Sequence, residues 1–352
     1  MTDQQTGSAG VAAHPSRPAA SVPGPNIQAV ADAAGVSKTT VSHVLSRKRP
    51  VSAATRRKVQ KVMDQLGYQP NFFAQALNRN SSNTIALIVQ DITNPYYPSL
   101  ARGLQMAVSG HEQVVMLFDA GAGESLTHAF IKDAIARRVD GVVVAVSDVD
   151  DDLVLLTNAG IPVVAVGSSR SALQIDWVTA DDEKIAMDAV VCLHLAGHRK
   201  IATIAGPLHK APGSLRNLGY LRAMADLGLE VRSDYVVPSD WTREGGFDAM
   251  STLLTSIDRP TAVFCANDLM AIGAIDAARH AGVQIPGDIA IIGVDDIEAA
   301  GLVRPALTTV RIPAEEIGRT AGELLLRRIA EGPTSAYRHV LVQHALISRD
   351  SV

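Results

Sequence analysis

Apolar and polar residues follow a helical period near the N-terminal end of the chain. Apolar positions recur three and four residues apart in three short stretches, which predicts three amphipathic helices. Residues able to cap a helix precede the three stretches, at Asn26, Ser37 and Ser52. Glycines that can end a helix follow the first and the third, at Gly35 and Gly67. Because so few residues separate the first two helices, we predict a helix-turn-helix.

Beyond residue 82 the period changes, and compact apolar runs alternate with helical segments. The predicted strands span 84–89, 114–118, 141–146, 163–166, 201–205, 262–265 and 290–294. The predicted helices span 98–110, 124–138, 182–195, 215–227, 243–255, 268–281 and 314–330. This alternation is typical of a parallel, doubly wound sheet covered by helices. Because about 270 residues are more than one core comfortably holds, we expect two such lobes with a cleft between them.

Charge is distributed unevenly between these two parts. The chain as a whole has a net charge of −4, yet residues 26–82 carry nine Lys or Arg and only two Asp. Residues 83–352 therefore hold the acidic excess. Aromatic residues make up only 4% of the chain, so the core of the acidic part must consist of Ala, Val, Leu and Ile. A basic segment at 26–82 followed by an acidic segment at 83–352 indicates that only the first binds a polyanionic partner.

The second predicted helix has one apolar and one polar face. A helical wheel places Val41, Val44 and Leu45 on one side. The opposite side carries Lys38, Thr39, Ser42 and His43. Such side chains can donate hydrogen bonds to base edges or phosphates in the major groove. A solvated face on an ordinary helix is the alternative, but the turn, the surrounding positive charge and the basic run at 47–49 favour DNA recognition.

The N-terminal sequence resembles the signature of LacI/GalR-family repressors. The resemblance rests on IQAVADAAGVSKTTVSHVL at 27–45, VSAATR at 51–56, LGYQPN at 66–71 and AQAL at 74–77. It implies a hinge helix after the Tyr-x-Pro-Asn motif, with Leu77 inserted into the minor groove. Leu77 could instead be a core residue beside Phe72 and Phe73. The DNA-binding residues so implied are Gln28, Ser37, Lys38, Thr39, Ser42, His43, Arg47, Lys48, Thr55, Tyr68, Asn71, Ala74 and Leu77.

The same resemblance extends over residues 26–349 and implies an effector-binding domain like a periplasmic binding protein. Its landmarks are DITNPYY at 91–97, VDG at 139–141, GH at 197–198, AGP at 205–207, AND at 266–268, GVDD at 293–296 and PALTTV at 305–310. Most of these follow a predicted strand, where open α/β sheets bind ligands. By position, the implied effector-binding residues are Tyr96, Tyr97, Ser168, Lys210, Arg216, Trp241, Asn267 and Asp295.

A Trp face, an Arg, an amide and a carboxylate suit a polyol, so a sugar or sugar derivative is the expected effector. Two departures from the family bear on the identity of the effector. Residues 167–170 read GSSR where many members have an Asp-Arg pair. Lys210 and Pro212 stand where the purine-sensing branch has an Arg and a Thr. Lys210 with Arg216 would suit an anionic group. A nucleobase or another metabolite is the alternative. The tyrosine pair could be ordinary core, and Asp268 and Asp296 could be caps or inter-strand partners.

Together these patterns define a fold class and its boundaries. We expect an all-α helix-turn-helix headpiece followed by a two-lobed α/β domain of the periplasmic-binding-protein type, with doubly wound parallel sheets. Residues 1–25 are predicted to be a disordered extension, 26–70 the headpiece, 71–82 the hinge helix and linker, and 83–352 the effector and dimerisation domain. Its lobes are predicted as 83–166 with 311–332, and 180–309 with 336–349.

Other classes of protein fit the sequence less well. No nucleophile–base pair, cofactor motif or metal set is visible, since His194 and His198 lack a third ligand, so we expect neither an enzyme, a cofactor nor a metal site. A solute-binding protein of the same fold would carry a signal peptide and no DNA head. With no membrane span or signal peptide in the sequence, a cytoplasmic protein is expected. One headpiece contacts too few bases for specificity, so a homodimer is expected. The expected partners are therefore operator DNA, a second copy of the chain and, from the cleft residues, a sugar-like effector.

The charge division generates a first prediction. Operator binding should reside in residues 26–82 and weaken steeply with salt, with a slope of about −0.9 per phosphate contact, because each contact releases a counterion. A fragment of residues 83–352 should bind the effector but no DNA in a gel shift. Operator binding by that fragment would contradict the assignment.

Overall fold

The structure is a computed structural model that describes residues 25–46, 49–69, 81–121, 124–147, 149–167, 173–332 and 335–352. The chain divides into two compact units, Met1–Asn80 and Ser81–Val352. Among the described residues, no helix is both long and apolar enough to cross a membrane. The predicted extension at 1–25 lies, apart from Pro25, outside the described residues.

The first unit contains the three predicted helices, α1 (Ile27–Ala34), α2 (Lys38–Ser46) and α3 (Ala53–Leu66). Their caps are confirmed: the side chains of Asn26, Ser37 and Ser52 accept the backbone N–H groups three residues further on, at 3.0, 3.1 and 3.1 Å. Gly35 and Gly67 follow α1 and α3 with φ of 59° and 62°, the left-handed region that favours glycine.

A small apolar core holds these three helices together. Its buried members are Val30, Ala31, Ala34, Val41, Val44, Val59 and Met63. Val41 and Val44 of α2 are buried, as the helical wheel predicts, while Leu45 and Tyr68 pack at its edge. Because α2 contributes only this one face to the core, its opposite face is left for another partner.

The second unit is built on two six-stranded sheets. The strands of the first are β1 (Thr84–Val89), β2 (Val114–Asp119), β3 (Gly141–Ala145), β4 (Val163–Val166), β5 (Asp176–Thr179) and β11 (His339–Leu341). Those of the second are β6 (Ile201–Ala205), β7 (Val236–Pro238), β8 (Ala262–Cys265), β9 (Ala290–Asp295), β10 (Thr308–Arg311) and β12 (Ala345–Ile347). The first sheet has the order β11-β5-β4-β3-β1-β2 and is parallel throughout. The second has the order β12-β10-β9-β8-β6-β7 and is parallel except for β10 with β12.

Helices cover both sheets. They are α4 (Tyr96–Val108), α5 (Glu124–Arg137), α6 (Asp150–Asn158), α7 (Asp182–Leu195), α8 (Gly213–Asp226), α9 (Arg243–Leu254), α10 (Asp268–His280), α11 (Glu298–Leu302) and α12 (Ala314–Glu331). The two-lobed, doubly wound fold predicted from the alternation of apolar runs and helical segments is confirmed.

One boundary of the predicted lobes is wrong. Residues 336–349 were expected to belong wholly to the second lobe, but β11 pairs with β5 of the first sheet, with His339 opposite Trp177. Only β12 joins the second sheet. The chain therefore crosses between lobes three times, after β5, after β10 and after β11. The last crossing has a weak sequence signal, because both strands that flank it are three residues long.

Glycines bring α4 and α12 into backbone contact. A Cβ at Gly103 would lie 1.9 Å from the carbonyl oxygen of Glu315, and a Cβ at Gly318 would lie 2.0 Å from that of Leu100. No other residue type fits at either position without separating the helices. This contact fixes α12, which follows the second crossing, to α4, which follows β1.

A buried ion pair ties α12 to β5 of the first sheet. The guanidinium of Arg328 donates to Asp176 from Nε at 2.8 Å and from Nη2 at 3.1 Å. The backbone N–H of Arg338 donates to the same carboxylate at 2.8 Å. Since both side chains are at most 5% exposed, each charge depends on the other for its stabilisation.

Removing one partner of this pair should destabilise the second unit. Asp176→Asn leaves the Arg328 guanidinium buried without a counter-charge, so we expect a loss of about 3–5 kcal/mol in the free energy of unfolding. Urea denaturation of residues 81–352 measures it. Glu323→Gln, which removes an ion pair with Arg319 whose side chains are 46% and 57% exposed, is the control and should cost about 0–1 kcal/mol. Equal losses for the two variants would contradict this account.

Candidate functional site

The polar face of α2 is exposed in the way a DNA-reading helix requires. Lys38 and Thr39 are exposed, and Ser42 and His43 are half-buried, on the side opposite Val41 and Val44. Further cations lie exposed on α3, at Arg56, Arg57, Lys58 and Lys61. The structure thus places short polar side chains and a cation on one helix face, with a basic helix in the same small unit.

Four other residues implied for DNA binding also make contacts within the headpiece. Gln28 donates from Nε2 to Asp32 at 2.9 Å. Ser37 caps α2, and the Thr55 hydroxyl shares a 2.8 Å hydrogen bond with that of Ser52. Tyr68 packs on the core, and its burial raises the pKa of the phenol. These residues hold the helices in place whether or not they also contact DNA.

Several expected site residues lie outside the described residues. They are Arg47, Lys48, Asn71, Ala74 and Leu77 of the DNA-binding set and Ser168 of the effector-binding set. Most of the predicted hinge segment at 71–82 lies outside them as well.

A buried arginine organises the second candidate site. Arg216, on α8, is 6% exposed. Its Nε donates to the carboxylate of Asp182 at 2.8 Å and its Nη1 donates to the carbonyl of Ala266 at 2.5 Å. The carboxylate of Asp295 lies 3.9 Å from Nη1. Residues from α7, α8 and the ends of β8 and β9 therefore converge on one guanidinium.

Asp295 is the least satisfied of these charges. It ends β9 with a φ of 118°, a conformation that non-glycine residues rarely adopt. Burial raises the pKa of its carboxyl to about 7, with Arg216 lowering it and Asp182 raising it. A carboxyl group whose pKa lies near neutral pH, on a strained backbone at a strand end, is typical of a functional position.

Tyr96 and Tyr97 lie at the start of α4, within reach of the same charges. Their rings meet edge to face, with centroids 5.3 Å apart. Burial raises both phenol pKa values, and the negative charge of Asp295 adds to the effect. Both rings also pack against the apolar core. The structure therefore places the pair beside Arg216 and Asp295, and at the same time in the core that was the alternative for them.

Trp241 and Asn267 complete the cluster. The guanidinium carbon of Arg216 lies 5.8 Å from the centroid of the Trp241 ring. Asn267 is 2% exposed. Its Nδ2 donates to the carbonyl of Trp241 at 3.0 Å, and its Oδ1 accepts from the N–H of Met270 at 2.9 Å, which caps α10. The amide expected to contact the effector is thus hydrogen-bonded at both ends within the protein.

No hydrogen bond or ion pair among the described residues links the ammonium of Lys210 to this cluster. It lies in the loop before α8, where its carbonyl accepts from the N–H of Ser214 at 3.0 Å. Its ammonium forms no ion pair with the described carboxylates around Arg216. That Lys210 and Arg216 together would bind an anionic group therefore stays a prediction.

Two further acidic residues have structural partners. Asp268 accepts from the N–H of Ile297 at 2.9 Å and from the hydroxyl of Thr309 at 2.6 Å. Asp296 accepts from Arg311 at 2.7 Å and from Arg349 at 2.5 Å. These contacts support the interpretation of Asp268 and Asp296 as caps or partners within the fold.

Asp182 is the residue of this site that the sequence analysis missed. It is the first residue of α7 and is 5% exposed. Its charge pairs with Arg216, which lies 34 positions further along the chain. Asp181 beside it caps α7 at 3.0 Å. Two neighbouring carboxylates at a helix start are typical of ordinary capping, so nothing local distinguishes the one that pairs with Arg216.

A groove of about 610 Å³ opens beside this cluster. Its wall includes Tyr96 and Asp295 but not Arg216, Trp241 or Asn267. The groove continues along the start of α12 and the exposed side of α4, and its further lining residues are Ser99, Met106, Asp296, Arg311, Ile312, Pro313, Ala314, Glu315, Glu316 and Arg319. The tyrosine and the aspartate thus border open space, whereas Arg216 and Asn267 are almost fully buried.

Family comparisons match both parts of the chain. Residues 26–71 match the model of bacterial regulatory proteins of the lacI family, and residues 190–352 match the periplasmic binding protein-like domain. The ribose operon repressor of Escherichia coli (strain K12) is 35% identical over 334 residues, which cover 92% of this chain and 98% of that protein.

Solved structures agree with this assignment. The complex of the transcriptional regulator CelR with cellobiose is 31% identical, with a TM-score of 0.72, over 93% of this chain and all of that chain. The Lac repressor dimer bound to operator and the anti-inducer ONPF is 26% identical, with a TM-score of 0.83, over 93% and 98% of the two chains. The helix-turn-helix, the two-lobed domain and these similarities lead to one conclusion: the chain belongs to the LacI family of DNA-binding transcriptional regulators.

Proposed function

We propose that this chain represses transcription as a homodimer on a near-palindromic operator in the cytoplasm, and that a small molecule bound near Arg216 changes its affinity for DNA. The proposal rests above all on the exposed polar face of α2. One headpiece carries too few reading residues for a specific site, and two related by symmetry would contact two half-sites. The Lac repressor, a relative of this chain, binds its operator as a dimer.

On the DNA side, Lys38, Thr39, Ser42 and His43 read base edges in the major groove. Arg47, Lys48 and the exposed Arg49 follow α2 and meet phosphates. Gln28, Ser37, Thr55 and Tyr68 fix the helices on the backbone of the duplex. Leu77, after Asn71 and Ala74 in the hinge segment, acts as an apolar wedge between base steps, which widens the minor groove.

On the effector side, the chemistry around Arg216 suits an uncharged polyol. Trp241 supplies an aromatic face, and Arg216 and Asp295 supply a donor and an acceptor for hydroxyl groups. The charge of Arg216 is already balanced by Asp182, and Asp295 lies nearby, so a phosphate or carboxylate would meet repulsion. A neutral sugar is favoured, in keeping with the ribose operon repressor and the cellobiose complex among the relatives.

A thermal-shift screen tests the effector class. Residues 81–352 are heated with ribose, cellobiose, their phosphorylated or oxidised forms, and nucleosides. A ligand that binds only the folded state raises the midpoint, with about 2.7 kcal/mol of stabilisation at a hundredfold excess over Kd. A shift by a neutral sugar and none by its phosphate supports the proposal. Stabilisation by a nucleoside or a sugar phosphate alone would reject the neutral-sugar assignment.

Base reading by α2 can be separated from phosphate contact. Lys38→Ala and His43→Ala should change the preferred base at one position of each half-site and cost about 1–3 kcal/mol each, because they remove base-edge contacts. Arg49→Ala, which removes an exposed cation assigned above to a phosphate, should weaken binding to all sequences alike. Binding-site selection with the three variants beside wild type is the measurement. If the Lys38 and His43 variants select the wild-type operator, the assignment of α2 as the reader is wrong.

The raised pKa of Asp295 makes effector binding dependent on pH. Because burial raises the folded-state pKa to about 7 from an ordinary 3.8, the carboxyl is protonated below neutrality and ionised above it. An ionised carboxylate accepts hydrogen bonds from sugar hydroxyls more strongly, so affinity for the effector should rise as pH increases from 6 to 8.

Asp295→Asn should flatten this pH dependence, weaken effector binding and leave operator binding without effector intact. Calorimetric titration at three pH values provides the measurement. Asp248→Asn, at an exposed position on α9, is the matched control and should behave as wild type. An unchanged titration by the Asp295 variant would remove that residue from the site.

A further inference from the structure

We propose that Asp140 is a positioning residue for operator binding: its carboxylate fixes the place where the chain that leads to the headpiece leaves the second unit. Of the predicted hinge and linker at 71–82, the structure describes Ser81 and Ser82, and both are hydrogen-bonded to Asp140. The consequence for a paired operator rests on the proposed function, whereas the contact that holds the linker does not.

The Asp140 carboxylate accepts four hydrogen bonds. The hydroxyl of Ser81 donates at 2.6 Å, closer than its other acceptor, Oδ1 of Asn83 at 3.0 Å. The backbone N–H and the hydroxyl of Ser82 donate at 2.7 and 3.2 Å. Nε2 of Gln113, the residue before β2, donates at 3.0 Å. Hydrogen bonds to a carboxylate are stronger than those between neutral groups, so this one side chain holds the end of the linker.

The chain turns between the linker and β1. Asn83 has a φ of 47°, in the left-handed region that residues other than glycine seldom adopt. A strained conformation persists only where its surroundings fix it. Here the N–H of Asn83 donates to the Ser81 hydroxyl at 3.3 Å, and its carbonyl accepts from the N–H of Val114 at 2.9 Å. Because Asp140 holds that hydroxyl, loss of the carboxylate would loosen the turn together with the linker.

Asp140 itself has a rigid base. Its own N–H donates to the carbonyl of Thr84, the first residue of β1, at 2.8 Å. Gly141 follows it as the first residue of β3, and a Cβ there would lie 2.8 Å from Cδ1 of Leu325 on α12. The start of β3 is thus bonded to β1 and packed directly on a helix, with no space to shift. When the contact with the serines breaks, the linker moves and the carboxylate does not.

A fixed origin for the linker limits where a headpiece can reach. In a homodimer each headpiece is tied to its own attachment point, which restricts the half-site spacing that both can occupy together. Release of residues 81–83 would add up to about 10 Å to each linker, the rise of about three base pairs. A wrongly spaced operator gains this length only by breaking the contact, at a cost of about tenfold in affinity for one hydrogen bond to a carboxylate.

Two substitutions weaken the contact from opposite sides. Asp140→Ala removes the acceptor, and Ser81→Ala removes the shortest donor without touching β3. Asp288→Ala is the matched control, because its carboxylate also accepts a backbone N–H, that of Gln284 at 2.8 Å, in the loop between α10 and β9. If Asp140→Ala fails to fold, Ser81→Ala still carries the test.

Hydrogen exchange of the full-length protein, followed by mass spectrometry, reports the contact directly. The N–H of Ser82 should exchange about tenfold faster or more in Asp140→Ala, since its acceptor is gone, and should show a smaller increase in Ser81→Ala. Asp288→Ala should leave this exchange unchanged. The amides of β1 should stay protected in every variant, which shows that the fold is kept.

Operator spacing is the readout that a merely structural role would not change. The palindrome that the wild-type protein selects is lengthened at its centre by one, two or three base pairs, the range that release of residues 81–83 allows. The wild-type protein and Asp288→Ala should discriminate against the lengthened sites. In Asp140→Ala the ratio of affinities between the original and the lengthened sites should fall about tenfold, with a smaller fall in Ser81→Ala.

Each result decides the role of Asp140. Unchanged exchange at Ser82 would show that the carboxylate does not hold the linker, and faster exchange with unchanged spacing discrimination would make the contact purely structural. Either result overturns the proposal. If the wild-type protein selects no paired half-sites, the dimeric repressor assignment fails and the spacing role fails with it, while the exchange data still decide whether Asp140 holds the linker.

Discussion

The candidate effector site depends on the burial of one positive charge. A guanidinium removed from water is tolerated only where negative groups and carbonyls replace its hydration. Asp182 and the Ala266 carbonyl do so for Arg216, and Asp295 stands close by. Because these partners belong to α7 and to the ends of β8 and β9, the requirement brings separate elements to one point. Burial there raises the pKa of the Asp295 carboxyl to about 7, so the site contains a hydrogen-bond acceptor whose charge changes near neutral pH.

Much of the architecture follows from local signals in the sequence. Asn26, Ser52 and Gly67 mark helix ends through a hydrogen bond or a left-handed backbone that only a few residue types provide, so those boundaries were predicted. The long apolar runs of β1, β6 and β9 were predicted as strands as well. The four-residue strands β5 and β10 were not predicted, although each is buried at three positions. By contrast, β11 has three residues and alternates exposed and half-buried positions. Its place in the first sheet follows from its partner strand, which no local pattern reveals.

Some residues of the candidate site could be predicted from the sequence and others could not. Position relative to the strand ends and family resemblance brought together Arg216, Trp241 and Asp295, which the structure places side by side. The salt bridge from Asp182 is a contact between distant positions, and local sequence carries no trace of it. Asn267 was assigned as a polar contact for the effector. The structure adds that its amide caps α10 and donates to the Trp241 carbonyl, two contacts that residue type alone does not reveal.

The glycine contact between α4 and α12 has a mechanical consequence. Helices whose backbones touch cannot slide past each other without a clash, so the two move as one lever. One end of this lever is the second crossing, where Arg311 is tied to Asp296 of the second lobe. The same end of α4 carries Tyr96, on the wall of the groove that Asp295 shares. A rotation of one lobe against the other would therefore change the spacing between Tyr96, which this rigid pair of helices carries, and Asp295 of the second lobe.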